Sequence, residues 1–107
     1  MTDIYGRPWR RKDILACVGP GWRRLVEKLI EDLQDLDWNG QLHQIKEKFG
    51  GLRFYIGDGT ETMHNRIMQA EEESLHTCSD CGEEMTELKH KGSWIYPLCD
   101  GCWKEER

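Results

Sequence analysis

The chain has 107 residues, 37% of them hydrophobic and 33% charged, with five Trp, three Tyr, two Phe and a formal net charge of -5. That length suits one modest core with a metal-held appendage, and the aromatic content excludes a disordered chain. No stretch approaches the roughly 20 apolar residues that span a bilayer and the N-terminus lacks an apolar signal core, so the expectation is a cytoplasmic protein with no membrane contact.

The charge is unevenly spread. Residues 1–24 hold six Arg/Lys against two Asp, residues 25–77 five against eleven acidic residues, and residues 78–107 four against seven. Phosphate contacts supply most of the affinity of nucleic-acid binders, so only the opening segment has the balance for direct nucleic-acid binding. The candidates there are Arg7, Arg10, Arg11, Lys12, Arg23 and Arg24, with Trp9 to stack on a base. Met1 to Lys12 has no sustained period and reads as a basic arm or loosely packed lead-in. Cys17 lies in the apolar run Ile14-Leu15-Ala16-Cys17-Val18 and reads as a small buried hydrophobe.

After Gly19-Pro20-Gly21, the residues Trp22, Leu25, Val26, Leu29, Ile30, Leu33 and Leu36 recur at helical spacing, which predicts a long amphipathic helix. Pro20 fits its first turn and Asn39-Gly40 its stop. Its other face carries Glu27, Glu31, Asp32 and Asp35, either a solvated stripe or a contact surface for a basic partner, where it would mimic nucleic-acid phosphate. Gln41 to Phe49 and Leu52 to Ile56 then predict a β-hairpin around a Gly50-Gly51 turn, because Leu52, Phe54 and Ile56 alternate with Arg53 and Tyr55. Arg53 and Tyr55, with Trp9 and Arg10, are the alternative partner anchors, since Arg, Tyr and Trp dominate interface energetics. His43 reads as a half-buried structural residue. Asp58 and Thr60 are both candidate N-caps for a second helix, whose buried face is Met63, Ile67, Ala70 and Ser74.

The C-terminal part carries Cys78-Ser79-Asp80-Cys81 and Cys99-Asp100-Gly101-Cys102, two Cys-x2-Cys pairs separated by seventeen residues. This spacing is that of a structural zinc site, one Zn2+ held by Cys78, Cys81, Cys99 and Cys102. His76 or His90 in place of one cysteine is the less favoured ligand set. Residues 84–89 and 93–98 flank a His90-Lys91-Gly92 turn, the hairpin of a zinc ribbon, with Trp94, Tyr96 and Trp103 expected to dock it on the helices. Four thiolates leave no open coordination position for a substrate. His43, His64, Glu47 and Glu61 form no recognised catalytic spacing, so the chain is expected not to be an enzyme. The expected fold is α+β, with a helix/hairpin/helix region over residues 1–77 and a ribbon over 78–107, together one compact unit.

The run Lys48-Phe49-Gly50-Gly51-Leu52-Arg53-Phe54-Tyr55, then Ala70-Glu71 with Ser74, then the two cysteine pairs, resembles a small family of bacteriophage and prophage proteins. Gly21-Trp22 at the head of the long helix shares in the resemblance, which covers roughly residues 19–102. It implies origin and architecture more than chemistry. By analogy with small phage proteins generally, it implies a phage-type accessory or anti-defence protein, an inhibitor that binds a host protein or nucleoprotein complex through protein–protein interaction inside a bacterial cell.

Overall fold

The computed structural model describes residues 1–3 and 5–106, with the side chains of residues 104–106 outside the description. The architecture is α+β. In chain order come α1 (Arg11–Leu15), a 3-10 turn (Pro20–Trp22), α2 (Arg23–Asp35), β1 (Leu42–Lys48), β2 (Gly51–Ile56), α3 (Glu61–Ser74), β3 (Lys89–Lys91), β4 (Trp94–Tyr96) and α4 (Asp100–Glu106). The strands make two separate two-stranded antiparallel sheets, β1-β2 and β3-β4.

The apolar positions of α2 do what their spacing requires: Leu25, Val26, Leu29, Ile30 and Leu33 are buried together with Ile14, Trp22 and Trp38. They meet Leu42, Ile45, Leu52 and Phe54 of the hairpin and Met63, Ile67 and Ala70 of α3 in one continuous core. The helix stops earlier than Asn39-Gly40. Asp37 takes a left-handed φ of 65°, and the Trp38 and Asp37 N–H groups bond to the carbonyls of Leu33 and Gln34 at 3.0 and 3.1 Å. That paired pattern is a Schellman cap, and it turns the Trp38 ring back into the core, 6.3 Å from the Phe54 ring.

Thr60, not Asp58, caps α3, its Oγ1 accepting from the Met63 N–H at 3.2 Å. The hairpin turn is Phe49-Gly50, because Lys48 pairs with Gly51 and the register leaves only two residues between the strands. Both turn residues have positive φ, 54° and 82°, the requirement of a type I′ turn. A bulge at His43 shifts the register between Leu42 and Gln44, which leaves His43 exposed where the alternation had suggested half-burial.

The opening segment is not a loose arm. The Thr2 N–H donates to Gly40 O and Thr2 O accepts from the Leu42 N–H, at 2.8 and 2.7 Å, which pairs Thr2 with the edge of the sheet beside β1. Trp9 follows it down, donating its indole N–H to Leu42 O at 2.9 Å. Cys17 is exposed, with Sγ turned back onto the Asp13 carbonyl at 3.3 Å. Ile14 and Val18 take the buried positions of that run, and Cys17 falls on the other side of the turn.

The far edge of the hairpin is closed by side chains of α3. Ser74 Oγ accepts from the Leu52 N–H at 2.9 Å and a Glu71 carboxylate oxygen from the Phe54 N–H at 3.2 Å. Glu71 and Ser74 therefore satisfy two N–H groups, those of Leu52 and Phe54, that β2 would otherwise leave unpaired.

Candidate metal centre and interaction surface

Two short loops bring the four cysteines together. Gly82, at φ 83°, closes the first, with its N–H bonded to Cys78 O at 2.9 Å, while the Cys78 N–H bonds to Glu83 O at 2.8 Å. The second runs straight into α4, so Cys102 sits in that helix's first turn. All four Sγ atoms lie within 4.8 Å of one another, and those of Cys81 and Cys99 are 3.6 Å apart. A tetrahedral ion with metal–sulfur bonds of about 2.3 Å sets its sulfurs about 3.8 Å apart, whereas a disulfide needs about 2.05 Å. All five cysteines of the chain are free thiols, and the four-sulfur cluster fits a metal ion.

The electrostatics point the same way. Burial pushes the Cys78 thiol up, but N–H groups of Cys81, Cys99 and Asp80 aimed at its sulfur outweigh that and bring it down to about 7. The Glu83 N–H favours the Cys81 thiolate, yet burial and the neighbouring thiols of Cys99 and Cys78 win and raise it. Burial and the same neighbours raise Cys102. Thiolates this close repel one another, so only a bound cation lets them ionise together. His76 pairs with Glu72 at 3.4 Å and His90 lies exposed on β3, and neither joins the cluster.

The ribbon has its own small core of Met85 and Leu98 with Leu88, Tyr96 and Trp103, the last two rings 5.3 Å apart. Its turn is Gly92-Ser93, since Lys91 pairs with Trp94. Aromatic docking on the helices is not what joins it to the rest of the chain, for Trp94 is 70% exposed. Backbone does that work. The Gly21 N–H donates to Ser79 O and the Trp22 indole N–H to Thr77 O, each at 2.8 Å. A Cβ on Gly21 would lie 2.1 Å from Cys78 O and 2.5 Å from Gly82 N, so only glycine lets the loop before α2 press against the metal loop. A second contact lies at the hairpin tip, where a Cβ on Gly50 would meet Ile95 at 2.9 Å and Leu88 at 3.2 Å.

These two contacts leave a groove of about 650 Å³ between hairpin tip and ribbon, walled by residues 47–49 and 93–96. Phe49, 64% exposed, lines it from the hairpin and Trp94 from the ribbon. Sequence reasoning missed this surface. Its one available signal was the unfavourable placement of a phenylalanine immediately before Gly-Gly in a turn.

The other candidate contact residues are dispersed. Asp32 is engaged by Arg66 at 2.7 Å and Lys28 at 3.3 Å, and Glu27 by Arg11 at 3.6 Å, leaving Glu31 and Asp35 exposed on α2. Arg7 pairs with Asp3 and Arg10 with Asp13, so the cations of the opening segment are partly neutralised at home. Trp9 is half-buried against the core, Tyr55 is exposed on β2, and Arg53 Nη1 donates to Leu52 O at 3.1 Å rather than to a helix carboxylate. No described helix is long and apolar enough to cross a membrane. No known family model matches the chain, and neither a curated protein nor a solved structure is similar to it.

Proposed function

We propose that this chain is a zinc-stapled binding module, a phage-type accessory or anti-defence protein that engages a host protein or nucleoprotein complex in the bacterial cytoplasm. The ion is one Zn2+, the metal best suited to four thiolates in a closed tetrahedron, and it serves folding, because the shell leaves no position for water or substrate. This reading assigns the protein no catalysis of its own. It rests on the groove: two large exposed aromatics, one from the hairpin and one from the ribbon, line it, and burying them in a partner would return the free energy that folding left unclaimed. The resemblance to phage proteins supplies the biological setting.

Direct nucleic-acid binding through residues 7–24 is less favoured, since Arg7, Arg10 and Arg11 already face carboxylates. The test is capture of a partner from nuclease-treated host lysate by the zinc-loaded chain and by its Trp94→Ser variant. A stoichiometric partner held at least about tenfold more weakly by the variant is the expected result. Capture that disappears with nuclease treatment and strengthens as salt is lowered moves nucleic acid to the front.

A further inference from the structure

The groove touches every residue over 47–49 and over 93–96. Successive side chains of a strand point to opposite faces, so a surface that meets all of them in turn runs along the strand edges and not across a face. Each sheet has only two strands, which makes β1 and β4 edge strands by construction. β2 has the outer N–H groups of Leu52 and Phe54 taken by Ser74 and Glu71. β1 has its outer edge taken only at the start, where Thr2 pairs across Gly40 and Leu42. From His43 to Lys48, no backbone bond on that side is made to any described residue. The same edge therefore already carries one bridge, at Thr2, and continues, unfilled, into the groove.

The groove lining itself carries one carboxylate, Glu47, which accepts from the Gly50 N–H at 3.1 Å and lies on the opposite face of β1 from Lys46 and Lys48. The cations of that outer face select the occupant. On the outer face of the hairpin Lys46 stands directly opposite Arg53, a like-charge pair that weakens the sheet. Among the described residues neither of them, nor Lys48 or Lys91, has a carboxylate within 4.0 Å. In an antiparallel pair of two such edges centred on Glu47, Lys46 would face Lys48 of the other copy and Glu47 its own counterpart, so self-pairing in that register is opposed. A chain bearing carboxylates would relieve the repulsion, and its apolar side chains would lie between Phe49 and Trp94.

We infer that the groove takes an extended polypeptide segment with alternating apolar and acidic residues, which adds as a strand to the free edge of β1 beside β4. This deepens the binding-module reading and rests on it. Main-chain hydrogen bonds give such a complex its affinity, and the Phe49–Trp94 gap and the flanking cations give it selectivity.

The experiment is selection of displayed random peptides of about a dozen residues on the zinc-loaded full chain, with counter-selection on Trp94→Ser chain that retains its metal and helical signal. The winning peptide is then synthesised with backbone N-methyl groups along one edge or the other. The expected winners alternate apolar and acidic residues and lack a central proline. They should lose at least tenfold in affinity when one edge is methylated and little when the other is, and at least tenfold on Lys48→Glu chain. Winners that bind the Trp94→Ser chain equally, winners indifferent to methylation of both edges, or no enrichment at all would overturn the proposal. So would an oligothymidylate that binds where the peptides do not, or self-association that buries the groove. Lysate capture sensitive to Trp94→Ser without any strand-forming peptide would sink this inference alone and leave the binding-module reading standing.

Discussion

Phe49 holds a left-handed backbone, φ 54°, with 64% of its surface in water. That conformation costs a non-glycine residue about 1–2 kcal/mol, and the exposed ring gains little in return within the chain, beyond the Lys48 ammonium 5.5 Å from its centre. Replacing it by asparagine creates the Asn-Gly pair that type I′ turns prefer. Phe49→Asn is expected to raise stability by about 1 kcal/mol in urea unfolding while weakening partner capture, a trade that a purely structural Phe49 would not show. Gly21 is constrained in the opposite sense. Gly21→Ala forces a Cβ onto Cys78 O, and the chain is expected to lose about 1–3 kcal/mol and to release its metal to a competing chelator faster than the parent protein. In the sequence Gly21 reads as punctuation and Phe49 as the last residue of a strand. Their roles, a strained display site and a close backbone approach to the metal loop, depend on which distant segment arrives there.

Elements were largely legible because their periods are strong. The α2 stripe and the alternation in β2 name their buried residues with Leu36 and Ile56 only half-buried, and the α3 face names its four correctly. Boundaries shifted where tertiary contacts override local signals: the Schellman cap at Asp37 ends α2 before Asn39-Gly40, and the Thr2 pairing orders a segment with no period at all. The tie between α3 and β2 was not readable, since a serine on a helix face gives no sign that it will accept a strand N–H. Ser74→Ala leaves the Leu52 N–H buried and unpaired, and is expected to cost about 1–3 kcal/mol in equilibrium unfolding. α2 and α3, packed through the shared core, are also tied by an ion pair at their rim. The hydrogen bond from Arg66, with Lys28 beside it, lowers the Asp32 pKa below its ordinary 3.8. A group depressed in the folded state contributes stability that is present above its unfolded pKa and fades as pH falls through the folded value. Asp32→Asn is therefore expected to be less stable than the parent at neutral pH, with the difference closing below pH 3.8 in urea titrations.

At the scale of the molecule, the two cores meet through backbone contacts at Gly19 and Gly21 and through Leu88 and Ile95 on Gly50. The groove exists because the ribbon is held there, so an ion bound by the four cysteines would shape the groove from a distance without lining it. The cysteine spacing made the metal centre legible. The groove was not legible, because its walls come from segments more than forty residues apart in sequence. Since Cys81 and Cys102 are held protonated in the absence of an ion, zinc uptake near neutral pH is expected to release protons, and affinity to weaken as pH falls. The most direct measurement is native mass spectrometry of the purified chain before and after a strong chelator, read beside partner capture. The account predicts one zinc per chain, a mass deficit showing thiol protons displaced by the ion, and loss of capture on stripping that returns with stoichiometric Zn2+. A chain that carries no metal as purified, or that captures its partner equally well after stripping, would contradict it.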